Sequence, residues 1–559
     1  MQKSSEILFQ KGIDHFKNKN FKESEKCFEN LKNILPSNKD VLKNLIICYF
    51  QNKKFESCEK TIEEMFSLGH KENKFIELLL LILKQQDKAD KILKLIAKEK
   101  KNINPKYNLL EKFERSAIPM SNEELDNFRQ KTLNKVDSAI AENAINLKID
   151  EHLLDPPLFY YSYENKNNLE LSKKLHILIR NSYPELQQKF QIENIENKKI
   201  KIGFISEFFF NHTISKLFKG LILRLDTSIF DINIFYLDNN KGLDREFLEH
   251  EKKNLLKIIP LPKKFNKKVD TILKEKLDTI FYPDIGFSTK LYYLTFLRLA
   301  KIQITSWGHP ETTGNPNIDY FLSSKLLETN FDDAQKHYSE KLLLCDFLPM
   351  YYSKPKIKRI SDQDLQSNNI YSCPQTMFKL HPDFDEIILK ICKEDKKAKI
   401  NFIKSKEEIF SKKIYERLKK KMPNFIDQVT FINSLSGEEY IHHCGKASVL
   451  LDPLYFGAGN SFHESMFYGT ATVTFPTNFL RSKIVEGAYK QLEIIEPPIV
   501  KTIDDYVSSA IELANLNPKK MLEKKKYYEN CADKNLFENK KALKSFQDIL
   551  IRICKKNKS

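Results

Sequence analysis

In the first third of the chain apolar residues fall at helical spacing, and the pattern itself repeats. Phe16, Phe21, Phe28 and Leu31 return as Phe50, Phe55, Ile62 and Met65, each 34 residues further on. A period of that length belongs to a repeat built from two helices. A third, degenerate pair is predicted over 73–101, and residues 1–105 read as one helical-repeat region. One pair cannot bury its apolar face alone, so pairs stack. Packing alone and a groove for an acceptor or partner are equally good readings of this region.

Residues 106–195 keep a helical pattern and read as a bridge. Ser121-Asn122-Glu123-Glu124 is a capping signature ahead of a long amphipathic stretch. Asp155-Pro156-Pro157 interrupts it, the pattern restarts over 169–178, and the lysine-rich stretch 192–199 reads as a linker. From there the period changes. Residues 200–205 (IKIGFI) and 230–236 (FDINIFY) are buried-strand runs, followed by 279–282 and 302–305 with helical stretches between them. After Tyr352 the alternation begins again. Strands are predicted at 369–372, 399–403, 429–432, 448–451 and 471–474, with helices over 383–392 and 461–468. Alternating strands and helices give parallel sheets covered on both faces. The predicted class is therefore α/β with an α-helical N-terminal region: two doubly wound lobes, 196–355 and 356–530, then a C-terminal helix and basic tail over 531–559. Two such lobes leave a crevice at the carboxyl ends of their strands, where ligands bind.

Composition narrows the classes. Charged residues make up 30% and hydrophobic ones 41%, ordinary for a soluble globular protein. The strongest apolar run, 75–83, is far short of the roughly 20 residues that span a bilayer. Met1–Gly12 lacks a basic-then-apolar signal layout, so no membrane span and a cytoplasmic location are expected. Nine cysteines lie dispersed with no CxxC pair, which points to reduced thiols. A net charge of +17 invites a nucleic-acid reading, yet only 10 of the 92 basic residues are arginine. Arginine is the residue suited to bidentate base and phosphate readout, so no nucleic-acid partner is expected.

Three stretches carry candidate chemistry. Gly457-Ala458-Gly459-Asn460-Ser461 follows the strand ending at Asp452 and opens a helix containing Glu464. Small residues let a backbone approach a pyrophosphate, and a helix N-terminus favours a dianion. A tight strand-to-helix turn is the plainer alternative. Pro374-Gln375-Thr376-Met377-Phe378-Lys379 follows the first strand of the second lobe and sets Lys379 at the crevice, a point charge for a leaving phosphate. An ordinary surface lysine is the alternative there. Asn211-His212 lies at a strand-to-helix turn of the first lobe, where a histidine suits a general base or a sugar contact. Trp307–Gly314 (WGHPETTG) holds the chain's one tryptophan and would wall the crevice. His442-His443-Cys444 lacks partners at ligand spacing. Asp383-Phe384-Asp385 opens a helix and reads as an N-cap rather than a metal pair. No metal is expected.

Four blocks, WGHPETTGNPNIDY (307–320), YSEK (338–341), CPQTMFKLHPDFD (373–385) and LDPLYFGAGNSFHESMFYG (451–469), resemble glycosyltransferase family 41. That family contains the O-linked N-acetylglucosamine transferases, the SPINDLY-like proteins and bacterial cytoplasmic N-glycosyltransferases. The likeness covers residues 155–490 and is nearest to the bacterial SPINDLY-like branch. The helical repeats are similar to the tetratricopeptide (TPR) pattern, which that branch carries. Leu8, Gly12, Ser24, Phe28 and Pro36 fit it, with Ser24 where the pattern prefers Ala and Ile46 where the second copy would carry Gly.

The resemblance implies two Rossmann-like lobes (GT-B) and a nucleotide sugar bound to the second lobe without a metal. By it, Lys379 matches the lysine on the donor diphosphate, with Gln375 near a polar donor contact. Gly459, Asn460 and Ser461 match the helix start that holds the pyrophosphate, and Glu464 the acidic residue on the ribose. His212 matches a histidine at the site, read as a catalytic base or a contact, and Gly308 a backbone contact to the sugar. Ala458 replaces a glycine of the bacterial branch. The family's basic pair before the strand at 448 is missing: Gly437 and Tyr440 stand there, with His442 and His443 as available substitutes. The base, uracil or guanine, is therefore open. The function implied is inverting transfer of a sugar, N-acetylglucosamine from UDP-N-acetylglucosamine first, to a protein Ser or Thr hydroxyl, with the protein engaged through the repeats. The alternatives are glucose or fucose, an Asn or glycan acceptor, or a non-catalytic TPR scaffold.

Overall fold

A computed structural model of the chain describes residues 2–142, 145–193, 197–237 and 242–556. They fall into two compact units, 1–117 and 118–559.

The first unit holds the helices Gln2–Lys17, Phe21–Ile34, Lys39–Gln51, Phe55–Ser67, Asn73–Gln85 and Ala89–Glu99, then the short Lys106–Leu110. Its period is written in polar contacts as well as apolar ones. Ser24 Oγ donates to the Gly12 carbonyl (2.8 Å), and one repeat on Cys58 Sγ donates to the Ile46 carbonyl (3.3 Å). This is why Ser serves where the pattern prefers Ala. Gly12 permits close approach, since a Cβ there would lie 2.9 Å from the Phe28 ring. The buried Glu25 accepts from Asn52 and Lys54, and the buried Glu59 accepts from Gln86 and Lys88 at equivalent places. Lys19, Lys53 and Asp87 turn the chain with φ of 61°, 58° and 51°. The third pair keeps Ile96 at the place of Phe28 and Ile62, carries Lys84, Ala89 and Glu99 at the other three, and keeps the geometry. Residues 106–117 stay with this unit instead of opening the bridge.

The second unit begins with the helix Asn122–Glu142. Ser121 Oγ accepts from the Glu124 amide (3.2 Å), and the Glu124 carboxylate accepts from the Met120 amide (2.6 Å). The helical pattern read across the bridge is broken more widely than expected. Within 145–168 the one helical element is the 3-10 turn Tyr160–Tyr163, and the α-helix resumes at Leu169–Ser182.

Seven parallel strands build the first lobe: β1 (Ile200–Ile205), β2 (Phe230–Leu237), β3 (Lys257–Leu261), β4 (Thr279–Tyr282), β5 (Ile302–Ser306), β6 (Tyr320–Ser324) and β7 (Lys341–Cys345). Their order is β3-β2-β1-β4-β5-β6-β7. The second lobe has β8 (Ile370–Cys373), β9 (Lys399–Ile403), β10 (Val429–Ile432), β11 (Val449–Leu451) and β12 (Thr472–Val473), ordered β10-β9-β8-β11-β12. Chain order reverses beside β1 and beside β8, the switch points at which doubly wound sheets open a crevice. These are the two Rossmann-like lobes of the GT-B arrangement behind a helical N-terminal region.

The last helix among the described residues, Lys540–Lys556, follows the second lobe in sequence. It returns to the first, where Phe546 meets Phe281 of β4 (5.6 Å between ring centroids) and Cys554 meets Thr279 (3.1 Å). Among the described residues no helix is long and apolar enough to cross a membrane.

Candidate functional site

The second lobe builds its site on the turn that follows β11. Asp452 directly follows the strand and is buried. Its Oδ1 accepts from the Ala458 amide (2.6 Å) and its Oδ2 from Thr474 Oγ1 (2.7 Å). The Gly457 amide donates to the Arg481 carbonyl (2.7 Å). A Cβ on Gly457 would stand 3.0 Å from Asp452 Oδ2, so the glycine lets the loop close on its anchor. The loop is thereby pinned at its base, and the helix Asn460–Ser465 starts at Gly459 with no side chain capping it. The buried Asn460 Oδ1 has no hydrogen-bond partner.

Lys379 comes to the same place from the turn after β8. Its Nζ donates to Gln375 Oε1 (3.0 Å) and to the Gly457 carbonyl (3.1 Å), and lies 4.8 Å from the centroid of the Phe456 ring. Gln375 Nε2 donates in turn to Ser461 Oγ. Gln375, Lys379, Gly459, Asn460 and Ser461 are thus brought together. Burial pulls the Lys379 ammonium below the ordinary lysine range, and burial likewise pushes the Asp452 carboxyl up. The opposite charges of the two groups partly offset both shifts. An arriving dianion would favour the charged ammonium.

The first lobe contributes side chains from the helix Thr213–Ile222. His212 caps that helix: its Nδ1 accepts from the Ile214 amide (3.2 Å), and its ring stacks on Phe208 with centroids 4.4 Å apart. A ring nitrogen that accepts an amide N–H carries no proton, so the neutral imidazole holds its proton on Nε2. In that tautomer Nε2 donates rather than takes a proton. Gly308 is required by the fold, since a Cβ there would lie 2.2 Å from the Pro283 carbonyl oxygen. Glu464 faces the first lobe. Its Oε1 accepts from Lys216 Nζ (2.5 Å) and from the Tyr352 hydroxyl (3.4 Å). His212, Lys216 and Glu464 line one cleft of 560 Å³.

Other expected roles change. His443 Nε2 pairs with Ser372 Oγ (2.7 Å) and His442 Nε2 donates to the Lys358 carbonyl (2.9 Å), so both imidazoles are engaged within the second lobe instead of replacing the missing basic pair. Asp383 does not cap its helix: its own backbone is already helical (φ −64°, ψ −26°). Its carboxylate accepts from Asn122 Nδ2 and the Tyr455 hydroxyl, each at 2.7 Å. Asp385 is held by Arg417 at 2.7 and 2.9 Å. Among the described residues no three His, Cys, Asp or Glu side chains gather as a metal-binding group.

Further contributors carry no local signature. Phe159, from the irregular part of the bridge, lies between Phe287 and His309 of the first lobe (5.5 and 6.1 Å) and Phe378 of the second (5.7 Å). Tyr163 packs on Phe378 (4.9 Å) and on Phe456 (4.7 Å), the ring beneath Lys379. Arg481 anchors the glycine loop through its carbonyl. Its guanidinium donates to the Glu164 and Lys166 carbonyls and pairs with Glu311 of the first lobe (3.0 Å).

Residues 164–353 match the family model described as Glycosyl transferase family 41. Over 256 residues the chain is 27% identical to the UDP-glucose:protein N-beta-glucosyltransferase of Actinobacillus pleuropneumoniae serotype 5b (strain L20), covering 44% of this chain and 40% of that protein. Over 341 residues it is 23% identical to an Arabidopsis thaliana protein described as "Probable UDP-N-acetylglucosamine--peptide N-acetylglucosaminyltransferase SEC", covering 58% of this chain and 34% of that one. The chain therefore spans two fifths or less of these relatives' length. A solved structure of a Thermobaculum terrenum O-GlcNAc transferase variant superposes with a TM-score of 0.66 over 100% of this chain and 98% of that one, at 12% identity, which is a likeness of fold.

Proposed function

We propose that this chain, whose residues 164–353 match the glycosyl transferase family 41 model, transfers a sugar from a nucleotide-sugar donor to a protein. The observation that carries the proposal is the pinned glycine turn of the second lobe, with its uncapped helix start and the Lys379–Gln375–Ser461 chain beside it. Such a turn suits a diphosphate.

In the reaction, an acceptor oxygen bonds to the anomeric carbon as the bond from that carbon to the phosphate oxygen breaks. The electron pair leaves with the nucleoside diphosphate, the acceptor's proton is released, and the anomeric centre inverts. Lys379 and the amides of the Asn460 turn stabilise the charge that develops on the diphosphate. Preorganised donors of this kind are worth about 3–4 kcal/mol each. No metal is assigned a part, since Lys379 and the helix start carry the dianion. His212 orients the sugar or acceptor as an Nε2–H donor. Glu464 takes the ribose hydroxyls.

The two relatives are described with UDP-linked donors and with protein or peptide acceptors. This favours UDP over GDP. N-acetylglucosamine to Ser or Thr is the first pair to test, and glucose to Asn the second. The acceptor is proposed to engage the repeat unit. The nine cysteines are dispersed and free, which supports a reducing, cytoplasmic setting.

The test is incubation of the full chain with UDP-N-acetylglucosamine or UDP-glucose, EDTA and a lysate acceptor pool, read by intact-protein and peptide mass spectrometry. A hexose or N-acetylhexosamine adduct made by the wild type and lost in Lys379→Ala supports the reading. Equal adduct formation by a folded Lys379→Ala would overturn it.

A further inference from the structure

The ion pair between Lys216 and Glu464 joins the two lobes across 248 residues of sequence. Lys216 lies one turn beyond His212 on its helix, and Glu464 lies one turn beyond Ser461 on the other. Residues three or four apart on a helix share a face, about 5–6 Å between Cβ atoms. The pair therefore stands within one lysine's reach of the turn that Ser461 opens.

The two partners differ in freedom. The Glu464 side chain is 13% exposed, and the Lys216 side chain 41%. Among the described residues both bonds to Glu464, from Lys216 and from the Tyr352 hydroxyl, fall on Oε1. Oε2 is left for a further donor, and Tyr352 keeps the carboxylate in place if the lysine departs. Of the other cations lining this cleft, Arg224 lies over the Tyr351 ring (4.3 Å), Lys356 stands on the segment joining the lobes, and two are held by carboxylates. Lys219 pairs with Asp244 and Glu246 (2.8 and 2.7 Å), and Lys354 with Asp533 (2.6 Å). Within the donor turn itself Lys379 supplies one positive charge against a diphosphate that carries two or more negative ones.

We propose that Lys216 is a second diphosphate-binding residue, stored on Glu464 while the site is empty. A nucleoside diphosphate releases it: the ribose hydroxyls engage Glu464, and the lysine's ammonium turns to the phosphate oxygens one helical turn away. Both lobes then hold the donor, and the leaving diphosphate meets cations from both sides. This rests on the reading of the second-lobe turn as the diphosphate site.

Calorimetric titration of the full chain in EDTA tests it, with UDP, GDP, uridine and guanosine as ligands and wild type, Lys216→Met, Lys216→Arg and Glu464→Gln as proteins. For whichever nucleotide the wild type binds, Lys216→Met is expected to lose about tenfold or more in diphosphate affinity, as removal of a charged hydrogen bond does. The matching nucleoside should bind it as well as or better than wild type, because Glu464 no longer gives up a partner. Lys216→Arg should restore diphosphate binding and so exclude misfolding as the cause. Glu464→Gln should weaken nucleoside and diphosphate alike. If Lys216→Met tightens both ligands, the lysine is only a latch between lobes and the proposal is overturned. Unchanged affinity for both overturns it as well. A wild type that binds neither UDP nor GDP would instead overturn the reading of the turn on which the proposal rests.

Discussion

Each lobe runs a strand through a loop into a helix at its switch point, and the two finish that turn in opposite ways. In the first lobe β1 leads to His212, whose own ring occupies the start of the Thr213–Ile222 helix by accepting the Ile214 amide. In the second, β11 leads to a glycine at the helix start, and the side chains that engage the loop hold its base and flank: Asp452 below, Lys379 beside. A helix start satisfied by its own side chain has little use for an anion, while an uncapped one has amides to offer. The contrast divides the labour. The second lobe takes the diphosphate with its backbone, and the first reaches across with side chains.

The comparison can be broken most sharply at Lys379. Lys379→Ala is expected to lower turnover about a hundredfold or more, with the thermal transition preserved, in a steady-state assay of sugar release or transfer. Near-normal turnover in the folded variant would remove the distinction between the turns. Asp452→Asn should come next. It removes the charge that faces Lys379 and weakens the hold on Ala458, so a loss of about 1–3 kcal/mol in stability and weaker donor binding are expected from thermal unfolding and titration.

At the first-lobe turn the expected effect is smaller and of another kind. His212→Ala should cost about 1 kcal/mol of stability through the lost cap, and His212→Asn, a good capping residue, should recover it. Neither should weaken UDP binding as Lys379→Ala does. Equal weakening would mean that the first-lobe turn also holds the diphosphate. The pH dependence sharpens the same point. Because burial lowers the pKa of Lys379, its ammonium is fully present below that depressed value and is lost as pH rises through it. Donor affinity should thus fall at a pH below that at which a free lysine titrates. Lys379→Arg, which keeps its charge, should abolish that fall.

How much of this was legible in the sequence depended on the distance between partners. The repeats showed themselves because their contacts are local and periodic. Even the third pair, whose apolar residues have drifted, keeps Glu59, Gln86 and Lys88 at the spacing of Glu25, Asn52 and Lys54. Strand β3 escaped notice because it is a sheet edge carrying Pro260, and edges tolerate such residues. Strands β6 and β7 were hidden because they begin where the motif-bearing blocks at 307–320 and 338–341 end. The bridge was expected to stay helical up to Asp155 and to restart at 169, yet the α-helix ends by Glu142, and the chain between threads Phe159 and Tyr163 between the lobes. That Gln375, Lys379, Asn460 and Ser461 come together could be expected from the sequence because they lie in two compact motifs, each on the turn that follows a strand. Lys216 and Arg481 were not, since their partners Glu464 and Glu164 lie 248 and 317 residues away.

The central claim is that the second-lobe turn, not the first, receives the diphosphate. Hydrogen–deuterium exchange of the full chain with and without saturating UDP, in EDTA, tests it most directly because it reads backbone amides. Slowed exchange concentrated in peptides covering 457–465 and 374–380, with the amides of 212–214 little changed, is the expected result. Protection over 206–216 with none over 457–465, or no protection anywhere, would contradict it.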